Sequence, residues 1–394
     1  MRKLKIGFWL GNEGYSPESG GAFGYRNQLI NKIKDYSFPN AEIVFISDRK
    51  IVSSSPYYQI KWKQTPLKRI RSKILKRIVC LPFTKMLAAA LKRSEKKDLQ
   101  ALNSELGSVV DLIYYPTPEC VYPDFPFIYT KWDAGHLSTF AFPEMTTKGE
   151  FEHRVKVEEV IKKALLIFAE SEAGKKEIEY YYRINPDRIY VVPIFPSGIV
   201  NPGFPSSKPA GIKDDLNFIH YPAQFWPHKN HYNLIQAFKI TLATFPDLKL
   251  VLTGSEKGNK PYIFSIIQEL GIKDSIIDTG FVSMEELKWL YLNSKGLVMP
   301  TFLGPTNMPL LEAAELGCPV ACSNLGGHIE QLKEYGYYFD PASPKEISDA
   351  INRMVGDKAK GLQRKYESRF TIENALHSIS SAFDKIKNIR FTWK

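Results

Sequence analysis

A strand, a loop and a helix around residue 310 combine residue types that suit a phosphate and a sugar. An apolar strand from Leu297 to Met299 leads into a loop with Gly304, and Pro309 falls in the first turn of the next helix, where its missing N–H costs nothing. The unpaired N–H groups at a helix N-terminus favour a phosphate, and Glu312, one turn in, can accept hydrogen bonds from hydroxyl groups. A diphosphate joined to a sugar is therefore a natural ligand for this segment.

A lysine lies at a second junction between a predicted strand and a predicted helix. The run Asn217–Tyr221 predicts the strand, and Lys229 precedes the helical pattern that follows. A lysine at this place can reach a phosphate bound near the helix N-terminus, so we expect Lys229 to bind phosphate. For Gln224 and His228 in the same loop a functional and a structural role are equally compatible with the sequence, whereas we assign His231 to the structure.

In the first half of the chain, Asp133 and His136 follow another predicted strand. A carboxylate in this place can accept a proton, and an imidazole can hydrogen-bond a hydroxyl group. A single histidine at a strand end is often only a hydrogen-bonded core residue. Taken together with the other motifs, a functional role for His136 is favoured.

The segment from Met299 to Val320 resembles the donor-site signature of the retaining GT-B glycosyltransferases of family 4. In that family a Glu, seven intervening residues and a second Glu precede a small-residue helix that ends in Gly-x-Pro-Val. The resemblance implies that Glu312, at the second Glu, binds the ribose hydroxyls of a nucleotide-sugar donor. Gly304 stands at the first Glu, which in the family contacts the donor sugar, so we expect an altered choice of sugar rather than loss of transfer.

The resemblance also assigns donor contacts elsewhere. It implies that Lys229 binds the donor diphosphate and that Gln224 stands where the family has an Arg. Asp133 and His136 are similar to the family's Asp and His pair after a strand. This likeness implies that His136 lies close to the reacting sugar, where it hydrogen-bonds a sugar hydroxyl or orients the acceptor, and that Asp133 positions the acceptor or accepts its proton. With Gly304 in the loop, hydroxyl recognition would pass to Asn307, to backbone N–H groups near Met308 and to His136, while Thr306 and Asn307 can cap the helix. The remaining predicted donor-binding residues are Gly21 in a Gly-Gly loop, Gly254, Val282 beside the nucleotide base, Pro309 and Leu311.

Apolar β-rich runs alternate with helical patterns along the whole chain, which predicts parallel sheets covered by helices. A shift to Pro, Ser, Gly and Lys between Pro193 and Leu216 predicts a linker. The resemblance implies the α/β GT-B architecture: two Rossmann-like domains facing a cleft, with a C-terminal helix crossing back to the first domain. We predict an acceptor-side domain at residues 1–198, a nucleotide-sugar donor domain at 199–370 and the returning helix at 371–394. The predicted strands are Leu4–Leu10, Ile43–Ser47, Leu112–Tyr115, Phe127–Lys131, Leu165–Ala169, Ile189–Val192, Asn217–Tyr221, Leu248–Thr253, Ile276–Asp278, Gly296–Met299 and Pro319–Ala321.

The length and composition are typical of a globular protein: the chain has 394 residues, of which 44% are apolar, and is long enough for two domains that each have a hydrophobic core. No apolar run approaches the roughly 18 residues that a membrane-spanning helix needs. The N-terminal run Met1–Leu10 is typical of a first strand rather than a signal peptide, because it lacks a small-residue cleavage site, so we expect a cytoplasmic protein. The four cysteines lack metal-ligand spacing and predict free, buried thiols.

The net charge of +11 is concentrated in one segment. Residues Lys61–Lys97 contain thirteen basic residues and one acidic residue, a net charge of +12, with apolar residues at helical spacing. This pattern fits an ordinary solvated helix face, and it also fits a surface that faces anionic lipid. Nucleic-acid binding is the least favoured alternative, because nothing in the chain resembles a fold that reads nucleic acid.

Together these features predict a retaining hexosyltransferase that moves a sugar from a nucleotide-diphosphate sugar to a hydroxyl of a glycan or lipid-linked glycan in surface polysaccharide or lipopolysaccharide assembly. Lys229 and the helix that begins near Asn307 would stabilise the leaving diphosphate. No metal or other cofactor is implied, and the enzyme would lie on the inner face of the membrane through Lys61–Lys97. One alternative is an inactive GT-B homologue with a sugar-binding or regulatory role; a basic nucleic-acid-binding protein is a second, weaker one.

Overall fold

The computed structural model of the chain describes residues 2–11, 21–48, 50, 56–61, 99–139, 141–146, 150–362, 364–390 and 392. Apart from Lys61, the basic segment Lys61–Lys97 lies outside these residues, as do residues 12–20. Across the described ranges, no helix is both long enough and apolar enough to cross a membrane. Cys318 and Cys322 are buried free thiols, Cys120 is partly exposed, and Cys80 lies outside the described ranges.

The first half is built on a parallel sheet with the strand order β3-β2-β1-β4-β5-β6-β7 in the described residues. Residues of the central strands, such as Ile6, Ile113 and Ile128, are fully buried, as expected when helices cover both faces of a parallel sheet. The strands are β1 (Leu4–Trp9), β2 (Ala41–Ser47), β3 (Tyr58–Gln59), β4 (Leu112–Tyr115), β5 (Phe127–Thr130), β6 (Leu166–Ala169) and β7 (Ile189–Val191). The helices are α1 (Gly21–Ile33), α2 (residues 99–109), α3 (Gly135–Ser138), α4 (Pro143–Thr146), α5 (Glu150–Ile161) and α6 (Glu172–Tyr182).

The second half repeats this plan with a parallel sheet of order β10-β9-β8-β11-β12-β13. The strand order reverses between β8 and β11, so the loops after these two strands open a crevice at the carboxyl edge, where α/β sheets bind ligands. The strands are β8 (Phe218–Pro222), β9 (Lys249–Thr253), β10 (Ile276–Gly280), β11 (Leu297–Met299), β12 (Val320–Ser323) and β13 (Gly336–Phe339). The helices are α7 (His231–Thr241), α8 (Lys260–Glu269), α9 (Met284–Asn293), α10 (Met308–Glu315), α11 (Gly326–Leu332) and α12 (Pro344–Ala359).

The C-terminal helix α13 (Ile372–Arg390) returns to the first half of the chain. Its buried face joins the core of the first sheet, and the ring of Phe383 lies 5.2 Å from that of Phe38 and 6.3 Å from that of Tyr114. The crossing predicted from the sequence is therefore confirmed. The predicted domain limits at residues 198 and 370 fall in the connections before β8 and before α13.

Helix α10 begins and ends at the residues that the sequence indicates. Pro309 lies in its first turn, and Gly317 follows its last residues with a φ of +69°, a left-handed conformation that glycine adopts without strain. The predicted side-chain cap is wrong, however. Asn307 occupies the N-cap position without a capping hydrogen bond, because its side chain is held by His328 and Lys229 instead.

Candidate functional site

A cavity of about 400 Å³ lies between the two halves of the molecule. The loops after β5 and β6 form one wall, and the loops after β8 and β11 form the other. Its volume is in the range of small-molecule sites, and its position at the carboxyl ends of the strands is the usual one for ligands of such sheets. The residues that line it are Tyr25, Trp132, Asp133, Glu170, Ile194, Pro222, Ala223, Gln224, Trp226, His228, Lys229, Met299, Leu303, Gly304, Pro305, Thr306, Asn307, Met308 and Pro309.

Lys229 closes the tight turn Pro227–Lys229 after β8, and Asn230 then starts α7 with a φ of +60°. The hydroxyl of Tyr221 donates to the Lys229 carbonyl at 2.7 Å, which fixes the backbone below the side chain. Burial lowers the pKa of Lys229 to about 8, although Asp133 and Glu144 oppose this effect. An anion bound in the cavity would stabilise the charged ammonium group of Lys229, which burial disfavours.

Asn307 is oriented by a chain of hydrogen bonds that ends at Lys229. His328 Nδ1 lies 3.0 Å from the Ser323 carbonyl and donates to it, so His328 Nε2 accepts from Asn307 Nδ2 at 2.8 Å. Burial lowers the pKa of His328 to about 4, which keeps the ring neutral in this role. The other side of the amide, Asn307 Oδ1, then accepts from Lys229 Nζ at 3.4 Å. The lysine head group is thus held beside the N-terminus of α10.

Asp133 presents an ionised carboxylate from the first half. Its Oδ1 accepts the Gly135 N–H at 2.8 Å and lies 3.6 Å from the guanidinium of Arg154. Burial raises the pKa of Asp133, but Lys131, the Gly135 N–H and Arg154 together lower it below its usual value. Asp133 and Lys229 therefore bring opposite charges to the same cavity from opposite halves of the chain.

Two glutamates of the first half reach the second half at the cavity. Glu144 Oε1 accepts the His228 backbone N–H at 2.9 Å and lies 2.5 Å from His228 Nδ1. Glu170, directly after β6, accepts the hydroxyl of Thr306, and burial together with the charge of Asp133 raises its pKa to about 8. Sequence reasoning missed Glu170, although a carboxylate at the end of a predicted parallel strand is the signal that could have found it.

Glu312 is buried, with 3% of its surface exposed, and does not line the cavity. Its Oε1 accepts the Ser197 N–H at 3.3 Å and its Oε2 accepts the Tyr291 hydroxyl at 3.0 Å. Burial raises the pKa of Glu312, while these two donors act in the opposite direction. The carboxylate thus joins α10 to the connection between the halves, and its role at a ribose stays a prediction.

The structure brings only some of the predicted site residues together. His136 is fully buried behind the cavity wall, with its ring 6.4 Å from that of Tyr182. A Cβ at Gly254, which has a φ of +151°, would lie 2.2 Å from the Ala223 carbonyl oxygen, so this glycine permits the close approach of two loops. The predicted residues that line the cavity are Asp133, Gln224, Lys229, Asn307, Met308 and Pro309; those that do not are Gly21, His136, Gly254, Val282, Leu311 and Glu312.

The residues outside the cavity have identifiable places in the fold. Leu311 is fully buried in a core cluster shared with the first sheet, and Val282 packs against a small cluster around Phe218. Gly21 is the first residue of α1. In the part of the chain that the structure describes, no group of three or more His, Cys, Asp or Glu side chains is arranged to hold a metal ion.

Comparisons with known proteins decide the fold. HepE from Anabaena in complex with UDP-glucose superimposes with a TM-score of 0.62 over 97% of this chain and 100% of that one, at 16% identity. The chain has the GT-B fold. Within this GT-B chain, residues 205–373 match the family of glycosyl transferases group 1, which places the loops after β8 and β11 inside the matched region.

Curated relatives match the GT-B chain over part of their length. An uncharacterized glycosyltransferase of Methanocaldococcus jannaschii is 30% identical over 149 residues, which are 37% of this chain and 38% of that protein. The O-antigen chain mannosyltransferase B of Escherichia coli is 26% identical over 260 residues, 63% of this chain and 68% of that protein. The chain thus spans between about two fifths and two thirds of the length of these two relatives.

Proposed function

We propose that the chain is a retaining glycosyltransferase that moves a hexose from a nucleotide-diphosphate sugar to a hydroxyl of a glycan or lipid-linked glycan. The observation that carries this proposal is the position of Lys229 beside the N-terminus of α10, on the second-half wall of the cavity between the sheets. A cation and a helix N-terminus together form a site for a diphosphate. The group 1 match and the similarity to HepE, whose complex contains UDP-glucose, support a nucleotide sugar as the ligand.

In this proposal the cavity stabilises the leaving nucleoside diphosphate. The bond between the anomeric carbon and the phosphate oxygen breaks as the acceptor oxygen bonds to that carbon, so negative charge grows on the diphosphate. Lys229, fixed by Asn307, faces that charge with little reorganisation. Asp133 lies on the opposite wall, where its ionised carboxylate positions the acceptor hydroxyl or accepts its proton.

We further propose an acceptor in surface polysaccharide assembly, used without a metal cofactor at the inner face of the membrane. Support for the acceptor comes from the O-antigen chain mannosyltransferase B of Escherichia coli, which acts in O-antigen assembly by its name. Support for the membrane comes from the +12 charge of Lys61–Lys97, which would be attracted to anionic headgroups.

The test is an assay of nucleoside diphosphate release with a panel of UDP- and GDP-sugars, with and without lipid-linked glycan acceptors and with and without a chelator. We expect release that depends on one donor and one acceptor, persists in the chelator, and yields a product with the anomeric configuration of the donor. A product of inverted configuration would contradict retention. Donor binding without any turnover would favour the inactive homologue.

A further inference from the structure

The loop of Gly304 cannot carry a side chain in its present conformation. Gly304 has a φ of +121°, which only glycine adopts without strain. A Cβ at this position would lie 2.7 Å from Asn307 Nδ2 and 3.0 Å from the Thr306 carbonyl oxygen. Because Asn307 is held by His328 and Lys229, it has little freedom to move aside. The second half therefore offers no side chain from residue 304 to a ligand in the cavity.

Glu170 brings a carboxyl group to the same part of the cavity from the other half. It follows the last residue of β6, lines the cavity, and has 8% of its surface exposed. Its Oε2 accepts the hydroxyl of Thr306, two residues after Gly304, so the carboxyl group is held beside the glycine loop. Among the described residues, Thr306 is the only hydrogen-bond partner of the Glu170 side chain. Its Oε1 can therefore accept a hydrogen bond from a ligand.

We propose that Glu170 binds a hydroxyl of the donor sugar and thereby contributes to the choice of sugar. The inference rests on the proposed function, because it needs a sugar in the cavity. Residue 304 presents no side chain to the cavity, and the opposite wall supplies a carboxyl group that contacts the same loop at Thr306. A raised pKa of about 8 adds to this role, since a protonated carboxyl both donates to and accepts from a hydroxyl.

A purely structural role is the competing explanation, because Glu170 also joins the two halves through Thr306. Glu330 provides a matched comparison. Its carboxylate accepts the N–H groups of Glu172 and Ala173 at 2.9 and 3.0 Å across the same interface, but it does not line the cavity. Loss of Glu330 therefore removes a link between the halves without removing a cavity group.

The experiment measures dissociation constants by calorimetry for UDP, GDP, UDP-glucose, UDP-galactose and GDP-mannose. Measurements with the wild-type protein first identify the nucleotide sugar that binds, and this sugar is then paired with its own nucleoside diphosphate. For that pair we expect Glu170→Ala to weaken the binding of the nucleotide sugar about tenfold and the binding of the nucleoside diphosphate less than twofold, because only the contact with the sugar is lost. Glu330→Ala should change the dissociation constants of both ligands by the same factor. Glu172→Gln removes an exposed carboxylate two residues away and should change neither.

A second measurement uses nucleotide sugars that each lack one sugar hydroxyl. The loss caused by Glu170→Ala should vanish for the analogue without the contacted hydroxyl, an effect that a link between domains cannot produce. Glu170→Met keeps the length of the side chain but has no strong hydrogen-bonding group, and it serves if the alanine variant folds poorly; its loss of affinity should depend on the same single hydroxyl. Equal weakening of diphosphate and nucleotide sugar, or none, would overturn the inference alone. Wild-type protein that binds none of the ligands would overturn the proposed function and the inference with it.

Discussion

At the scale of single residues, Lys229 is the group whose removal should affect catalysis most. We expect Lys229→Ala to lower turnover on the order of 10²-fold, because it removes one preorganised charge from the leaving diphosphate. Burial disfavours the charged form of Lys229, so the variant should be no less stable than the wild type. Steady-state kinetics and thermal melting measure both effects. Lys239→Ala, an exposed lysine of α7, is the control, and near-normal turnover of Lys229→Ala would contradict the phosphate role.

Glu170 should make stability depend on pH. Its pKa is raised to about 8 in the folded protein, so between about pH 4.5 and 8 the folded state binds more protons than the unfolded state. The stability that Glu170 contributes is therefore present at low pH and lost as the pH rises through 8. Glu170→Gln cannot ionise, so its free energy of unfolding should match the wild type near pH 4.5 and exceed it by roughly 1–3 kcal/mol at pH 9. Urea titrations measure this, and a constant difference across pH would contradict it.

The position of a site residue can be predicted from the sequence when it follows a recognisable strand. It is harder to predict when the position depends on contacts with the other half of the molecule. Lys229 and Asp133 follow predicted strands, and both line the cavity. His136 follows the same strand as Asp133, yet it is buried behind the wall, because the short helix α3 turns its side chain into the core of the first half. The place of Glu170 beside the Gly304 loop depends on how the two halves meet, which no local pattern encodes.

At the scale of elements, the Gly304 loop sets the approach to α10. Gly304→Ala places a Cβ against Asn307 at a φ of +121°, so we expect a loss of about 1–3 kcal/mol in the free energy of unfolding. Urea denaturation measures it. Gly356→Ala is the control, since Gly356 lies inside α12 with open space where the alanine methyl group would go, and this change should stabilise the helix by about 0.5–1 kcal/mol. An unchanged free energy of unfolding for Gly304→Ala would contradict the prediction and show that the loop can rearrange.

Most elements could be predicted because long apolar runs alternate with helical patterns. All eleven predicted strands are present, with ends that differ by up to two residues. The sequence did not reveal β3, which has only two residues at the sheet edge, or β13 (Gly336–Phe339), whose aromatic run follows directly after the turn Lys333–Tyr335. The failed side-chain cap at Asn307 has a different cause: a tertiary partner, His328, competes for the amide.

At the scale of the whole molecule, the segment Lys61–Lys97 should carry the protein to anionic membranes. Each basic residue near such a surface contributes about 1 kcal/mol, and the attraction falls as salt screens it. Sedimentation with vesicles of phosphatidylcholine, with and without phosphatidylglycerol, across a salt series measures the binding. We expect binding to the anionic vesicles only, weakened by salt. Equal binding to both kinds of vesicle at all salt concentrations would contradict the prediction.

The two halves are joined by carboxylates that accept hydrogen bonds across the interface. Glu144 accepts from His228 and Glu170 accepts from Thr306, both at the cavity. Away from the cavity, Glu330 of α11 accepts the first N–H groups of α6, where the helix dipole also favours a negative charge. A glutamate of the second half thus caps a helix of the first half, so closure of the cleft and order at this helix end should be coupled.

Glu330→Ala tests this coupling directly. The variant leaves the N–H groups of Glu172 and Ala173 without their carboxylate, while Ser171 continues to accept from Gly174. We expect the first turn of α6 to exchange its amide hydrogens at least tenfold faster, and the free energy of unfolding to fall by about 1 kcal/mol, as for the loss of other helix caps. Hydrogen exchange read by mass spectrometry and urea titration measure these effects. Glu334→Ala, an exposed glutamate after α11, is the control. Unchanged exchange in α6 would contradict the coupling, because it would mean that this helix end is ordered without the Glu330 carboxylate.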